Sequence, residues 1–195
     1  MGTLASLGEI DRRTFVKLTG ASAAAVVFGL GPYTEKAAAQ SRLPDGLFKL
    51  GVASGDPSSA GVVLWTRLAP EPLTPDGGMP NGRVEVRWEV ARNENFSRVV
   101  NRGTATARPE RAHSVHVGVS GLAPATEYYY RFRAGNETSP VGRTKTAPRK
   151  DARLDRLAFA FASCQMYEHG YYHAYRDMSR QDLDLVVHLG DYNYE

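Results

Sequence analysis

A single cysteine, Cys164, stands among the 195 residues, so no internal disulfide can form and the chain is no disulfide-stapled scaffold. Long apolar runs are also missing. The apolar run Ala21 to Leu30 falls short of the ~20 residues that cross a bilayer. Gly29, Gly31 and Pro32 break it further, so no permanent membrane anchor is expected. Clustered basic charge is absent too. The net charge is +3 and the pI near 9.0, but Lys and Arg never run longer than a pair, and no nucleic-acid-binding surface is expected. With 42% hydrophobic and 23% charged residues, the chain is neither disordered, collagen-like nor a coiled coil, and its length suits one or two globular domains.

Residues 1–39 read as an export signal. A polar start carrying Arg12-Arg13 precedes an uncharged stretch from Leu18 to Thr34, and Ala37-Ala38-Ala39 forms a small-residue cleavage site. Asp11-Arg12-Arg13-Thr14-Phe15-Val16-Lys17 resembles the twin-arginine motif S-R-R-x-F-L-K, with Asp for Ser and Val for Leu. The expected partner is the twin-arginine export machinery, and the expected destination is the periplasm or the extracellular space. That route carries folded proteins, which suits a chain that takes up metal before it crosses.

From residue 40 to 148 the pattern is all-β. Short alternating runs at Val62 to Trp65, Val84 to Val90, Ser114 to Val119 and Tyr128 to Arg133 are cut by turn residues. In the second run Val84, Val86, Trp88 and Val90 share one face while Glu85, Arg87 and Glu89 share the other, as in an antiparallel strand with one wet side. Gly121 to Tyr130 resembles the L-x-P-x-T-x-Y-x-Y stretch of fibronectin type III domains, which makes Tyr128 the expected tyrosine corner. Trp65 is expected as the buried aromatic anchor between the sheets. His113 and His116 have no acidic or cysteine partner nearby and are read as structural or surface residues.

Residues 149–195 carry the chemistry. Leu154 to Ala162 and Leu183 to Leu189 read as buried parallel strands, and Gly170 to Gln181 between them has helical composition with Tyr171, Tyr175 and Met178 on one face. A βαβ unit follows, placing Cys164 and Asp191 just past the carboxyl ends of neighbouring strands, where open α/β sheets bind ligands.

Gly190-Asp191-Tyr192-Asn193-Tyr194 matches G-D-x-x-Y, by which purple acid phosphatases and related metallophosphoesterases supply a bridging aspartate and a phenolate to Fe(III). The glycine frees the turn, the carboxylate can offer one oxygen to each of two cations, and phenolate is a hard anionic donor suited to Fe(III). Several further features join this motif. His188-Leu189 stands before it, Ser163-Cys164 lies upstream, and Gly51-Val52-Ala53-Ser54-Gly55-Asp56-Pro57 and Val63-Leu64-Trp65-Thr66-Arg67 open the β region. With these the chain resembles the alkaline phosphatase D (PhoD) family over nearly its whole length.

That resemblance implies a fibronectin type III-like sandwich followed by the first βαβ unit of a truncated α/β metallophosphoesterase domain. It implies phosphate mono- and diester hydrolysis by a metal-activated water, with Fe(III) and Ca²⁺ as cofactors and a phosphoester as substrate. The D-x-H that opens most metallophosphoesterase metal sets is absent at the first strand end. In the PhoD family a cysteine takes its place, so the resemblance makes Cys164 and Tyr194 ligands of Fe(III) and Asp191 the bridge to the divalent cation.

Taken as residues alone, Cys164 could be a small hydrophobe, Asp191 a turn residue and Tyr194 a core aromatic. His188 is read as a hydrogen-bonded packing residue, His169 and His173 as exposed, and Glu168 and Glu195 as partners of the ligands. A metallophosphoesterase core needs roughly two hundred residues, so the chain is expected to be an N-terminal fragment without a complete catalytic set. The competing reading is a non-catalytic secreted β-sandwich module.

Overall fold

A computed structural model describes residues 43–166, 169–192 and 194. The export signal read over residues 1–39, and the positions of Glu168 and Glu195, lie outside the described residues. Among those described, strands dominate, and no helix is long and apolar enough to cross a membrane.

Eight strands build two antiparallel sheets. The first orders β1 (Val52–Ser58), β2 (Gly61–Arg67) and β5 (Ser114–Ser120) side by side. The second orders β4 (Val99–Ala107), β3 (Val84–Ala91) and β6 (Glu127–Ala134). The free edge of β6 is shared. Its carboxyl half pairs with β7 (Glu137–Thr138) and its amino half with β8 (Gly142–Lys145). Between them the Ser139 hydroxyl accepts the Phe132 N–H at 2.9 Å, replacing a ladder bond where Pro140 interrupts the strand.

The period-two pattern explains which faces meet. Val62 and Leu64 of β2, Val115, Val117 and Val119 of β5, Val84, Val86 and Val90 of β3, and Tyr128, Tyr130 and Phe132 of β6 belong to one buried cluster. Glu85 and Arg87, the intervening residues of β3, are exposed. Tyr128 is 1% exposed, and its hydroxyl accepts the N–H of Ala123 at 2.8 Å, the backbone bond expected of the corner tyrosine.

Trp65 does not anchor the core. Alternation along β2 turns Val62, Leu64 and Thr66 inward, so Trp65 lies half-buried on the opposite face, across from Ala53 and His116. The inward place goes to Thr66, whose hydroxyl donates to the Gly51 carbonyl at 2.9 Å and so satisfies its burial. The tryptophan that packs against the cluster is Trp88 on β3. It faces Gly103 of β4, where a Cβ would stand 2.6 Å from the indole, so glycine makes room for the ring.

Past the linker, β9 (Phe159–Ala162) and β10 (Leu185–His188) pair in parallel, with Leu185 beside Phe159 and His188 beside Ala162. Both strands are shorter than the apolar runs that predict them, and neither is buried: Phe161 is 64% exposed and Val186 48%. The helix between them, α1 (His173–Met178), is also shorter than the predicted Gly170 to Gln181. Tyr172 takes a left-handed backbone with φ 53° just before it, so Tyr171 falls outside the helix and is exposed. Within residues 149–195 the apolar side chains of β9 and β10 remain open.

Candidate metal centre

The backbone just past β9 and β10 sets the geometry. The ladder continues beyond the strands: Leu189 N–H donates to Ala162 O at 2.8 Å, Cys164 N–H to Gly190 O at 3.2 Å, and Gln165 N–H to Asp191 O at 2.8 Å. These bonds hold the two crossing loops together. Within them Cys164 (φ 59°) and Asp191 (φ 51°) both adopt the left-handed conformation that L-residues rarely take, and Gly190 between strand and aspartate has φ 125°. Non-glycine residues held this way cost of order 1 kcal/mol or more each and concentrate where a side chain must be aimed.

The strain brings side chains together. The Cys164 thiol donates to Asp191 Oδ2 at 3.5 Å. The Tyr194 phenol stands close enough to Cys164 and Asp191 for both to act on its ionisation. All three residues are exposed. The neighbouring Cys164 first, then desolvation and the Asp191 carboxylate, hold the Tyr194 proton well above the ordinary phenol range, since each favours the neutral hydroxyl over the phenolate. Cys164, Asp191 and Tyr194, the residues singled out in the sequence, therefore converge on one point at the carboxyl ends of the parallel strands.

The histidines do not join them. His188 Nε2 lies 3.1 Å from the Tyr175 hydroxyl of α1, and its Nδ1 accepts the Gly190 N–H at 3.4 Å. With Nδ1 accepting, Nε2 carries the proton and donates to Tyr175. The ring also stands edge-on to Tyr192 at 5.0 Å between centroids. His188 thus braces the Gly190-Asp191 turn from behind, a contact no spacing in the sequence announced. His169 and His173 are exposed, and His173 stacks on Tyr171. His113 is buried against the Gly82 carbonyl at 2.9 Å, far along the chain from the centre. Among the described residues no group of three or more His, Cys, Asp or Glu side chains gathers. The convergent set of one thiol, one carboxylate and one phenol is a partial set, all three anionic once deprotonated. Two of its donors are hard oxygens, so the residues fit a hard cation better than a soft one.

Fold and site together describe a chain whose β sheets lead into parallel strands with a thiol, a carboxylate and a phenol gathered at their ends. The model of the PhoD-like phosphatase N-terminal domain matches residues 34–148, and that of the PhoD-like phosphatase matches residues 159–195. The chain belongs to the PhoD-like phosphatase family. It is similar to alkaline phosphatase D of Bacillus subtilis (strain 168), with 53% identity over 191 residues that cover 95% of this chain and 32% of that protein. A solved structure of PhoD superposes with a TM-score of 0.74 at 61% identity, covering 76% of this chain and 28% of that one. The chain thus spans well under half the length of these relatives.

Proposed function

We propose that this chain is the N-terminal part of an exported PhoD-type alkaline phosphatase and phosphodiesterase. In this reading residues 1–39 are a twin-arginine signal, and residues 40–148 a fibronectin type III-like sandwich. Residues 149–195 open the metallophosphatase domain with its first βαβ unit. The observation that carries the proposal is the meeting of Cys164, Asp191 and Tyr194 at the ends of β9 and β10 in a chain of this family.

Cys164 and Tyr194 would hold Fe(III), and Asp191 would reach from it toward a divalent cation, Ca²⁺. When bound, such cations supply Lewis-acid charge that polarises a phosphoryl group and acidifies water, so that no side-chain nucleophile is needed. The residues of this chain prepare for that charge. The left-handed turns fix the thiol and carboxylate before any ion arrives, which lowers the ordering cost of binding. Tyr194 Oη keeps its proton beside the carboxylate and would release it only where a strong positive charge stabilised the phenolate. His188 holds the Gly190 N–H and so keeps Asp191 from swinging away.

The test is hydrolysis of bis(p-nitrophenyl) phosphate by the protein expressed from its complete reading frame, with iron and calcium supplied. Activity is expected, and Cys164→Ala, Asp191→Ala and Tyr194→Phe are each expected to lower it by about tenfold to a hundredfold or more, as loss of metal-site groups does. No hydrolysis, or hydrolysis indifferent to all three changes, would favour a non-catalytic sandwich module.

A further inference from the structure

The amino ends of β9 and β10, opposite the metal centre, are tied to the second antiparallel sheet. Asp184, the residue before β10, donates its N–H to the Ala158 carbonyl at 2.7 Å, and its Oδ2 accepts the Ala158 N–H at 2.9 Å. One residue thus closes both backbone groups at the start of β9. Its other oxygen pairs with the Lys145 ammonium, which projects from β8. Two positions earlier on β8, Arg143 reaches Leu183 O at 3.4 Å and stands 3.8 Å from Asp182, while held from behind by Glu127 at 3.0 Å. Two cations at alternate positions of one strand therefore grip three successive residues of the segment that enters β10. Lys145 and the Ala158 N–H also depress the Asp184 carboxyl below its ordinary range, as a carboxylate bound in its charged form requires.

We infer that Asp184 is a positioning residue: joined to Lys145 and Ala158, it transmits the rigidity of the antiparallel sheet to the parallel strands and so fixes the relative register of Cys164 and Asp191. The inference rests on the proposed reading of the centre, because only a site at the far ends of these strands gives their register a purpose. Its physical basis is leverage. The parallel pair is short, four residues in each strand, so the bonds at its base have strong control over how the two loops at its other end align. Charge-assisted bonds at the base are stronger than neutral ones, and a carboxylate that holds both strands stops them sliding. On this account the antiparallel domain is a built-in brace for the site rather than a tethered appendage.

Hydrogen exchange on the metal-free full chain tests this. Lys145→Met and Asp184→Asn are each expected to speed exchange of the Leu189, Cys164 and Gln165 amides about tenfold, the scale of one charge-assisted bond. The Tyr130 and Phe132 amides of β6 should be unchanged, and Lys145→Arg should restore slow exchange. Unaltered exchange at Cys164 and Gln165 in both variants would overturn the inference. So would equal acceleration in β6, which would make the pair a general stabiliser. Because no metal enters the measurement, failure of the proposed metal role with this coupling intact would be seen separately.

Discussion

The Cys164 thiol stands 3.5 Å from Oδ2 of Asp191 although 27 positions separate them along the chain. Both residues hold left-handed backbone conformations, at φ 59° and 51°, and both are pinned by bonds between the loops that follow β9 and β10. Two adjacent strained residues, neither of them glycine, aim their donors at each other and at Tyr194. A fold optimised for stability alone would place glycine at both positions.

Replacement by glycine should therefore separate stability from chemistry. Cys164→Gly and Asp191→Gly relieve a left-handed side-chain penalty of about 1–2 kcal/mol, against an added unfolded-state entropy of about 0.5–1 kcal/mol. Urea unfolding is expected to show either variant as stable as the parent or up to about 1 kcal/mol more so, while iron binding is lost. A loss of more than about 1 kcal/mol would show that these side chains stabilise the fold rather than burden it.

Tyr128 offers the opposite case. Tyr128→Phe keeps the buried ring but leaves the Ala123 N–H without its acceptor, and an unsatisfied donor of this kind costs about 1–3 kcal/mol. Equilibrium unfolding should show that loss with an unchanged dependence on denaturant. An effect within about 0.5 kcal/mol would mean that water reaches the corner.

The Asp184 contacts predict a pH dependence. Lys145, then the Ala158 N–H, lower the folded carboxyl below its ordinary 3.8, with Arg156 adding a weaker pull. A depressed folded value means that the bond stabilises fully above the unfolded value and is lost as pH falls through the folded one. The stability gap between the parent and Asp184→Asn should be constant from pH 7 to pH 5 and close as the solution is acidified through the carboxylate range. A gap that widened on acidification would contradict the assignment.

Much of the architecture was legible because side chains alternate. Val84 to Val90 and Ser114 to Val119 show the two-residue period that a half-buried strand imposes, and their inward residues are those found in the core. The same rule defeats the expectation for Trp65, since a large aromatic cannot enter a core when alternation turns its neighbours Leu64 and Thr66 inward. Strands without the period were harder to see. β1 holds Gly55, Asp56 and Pro57 and is almost wholly exposed, tolerable because it lies at a sheet edge with a bulge between Gly55 and Ser58. β4 carries Asn101 and Gly103, poor strand formers, with the glycine required by Trp88. At the centre, strand ends could be read from the apolar runs before Cys164 and Asp191. The bracing by His188 and the grip of Asp184 on Ala158 could not, because both depend on register and on a helix start that composition does not fix.

The most direct measurement is the visible spectrum of this chain titrated with Fe(III) under conditions that keep the iron in solution. A phenolate on ferric iron absorbs visible light, so a coloured complex is expected that disappears in Tyr194→Phe and is weakened in Asp191→Asn and Cys164→Ser. A colourless protein at saturating iron, or colour that survives the loss of the Tyr194 hydroxyl, would contradict the claim that Cys164, Asp191 and Tyr194 form a metal centre.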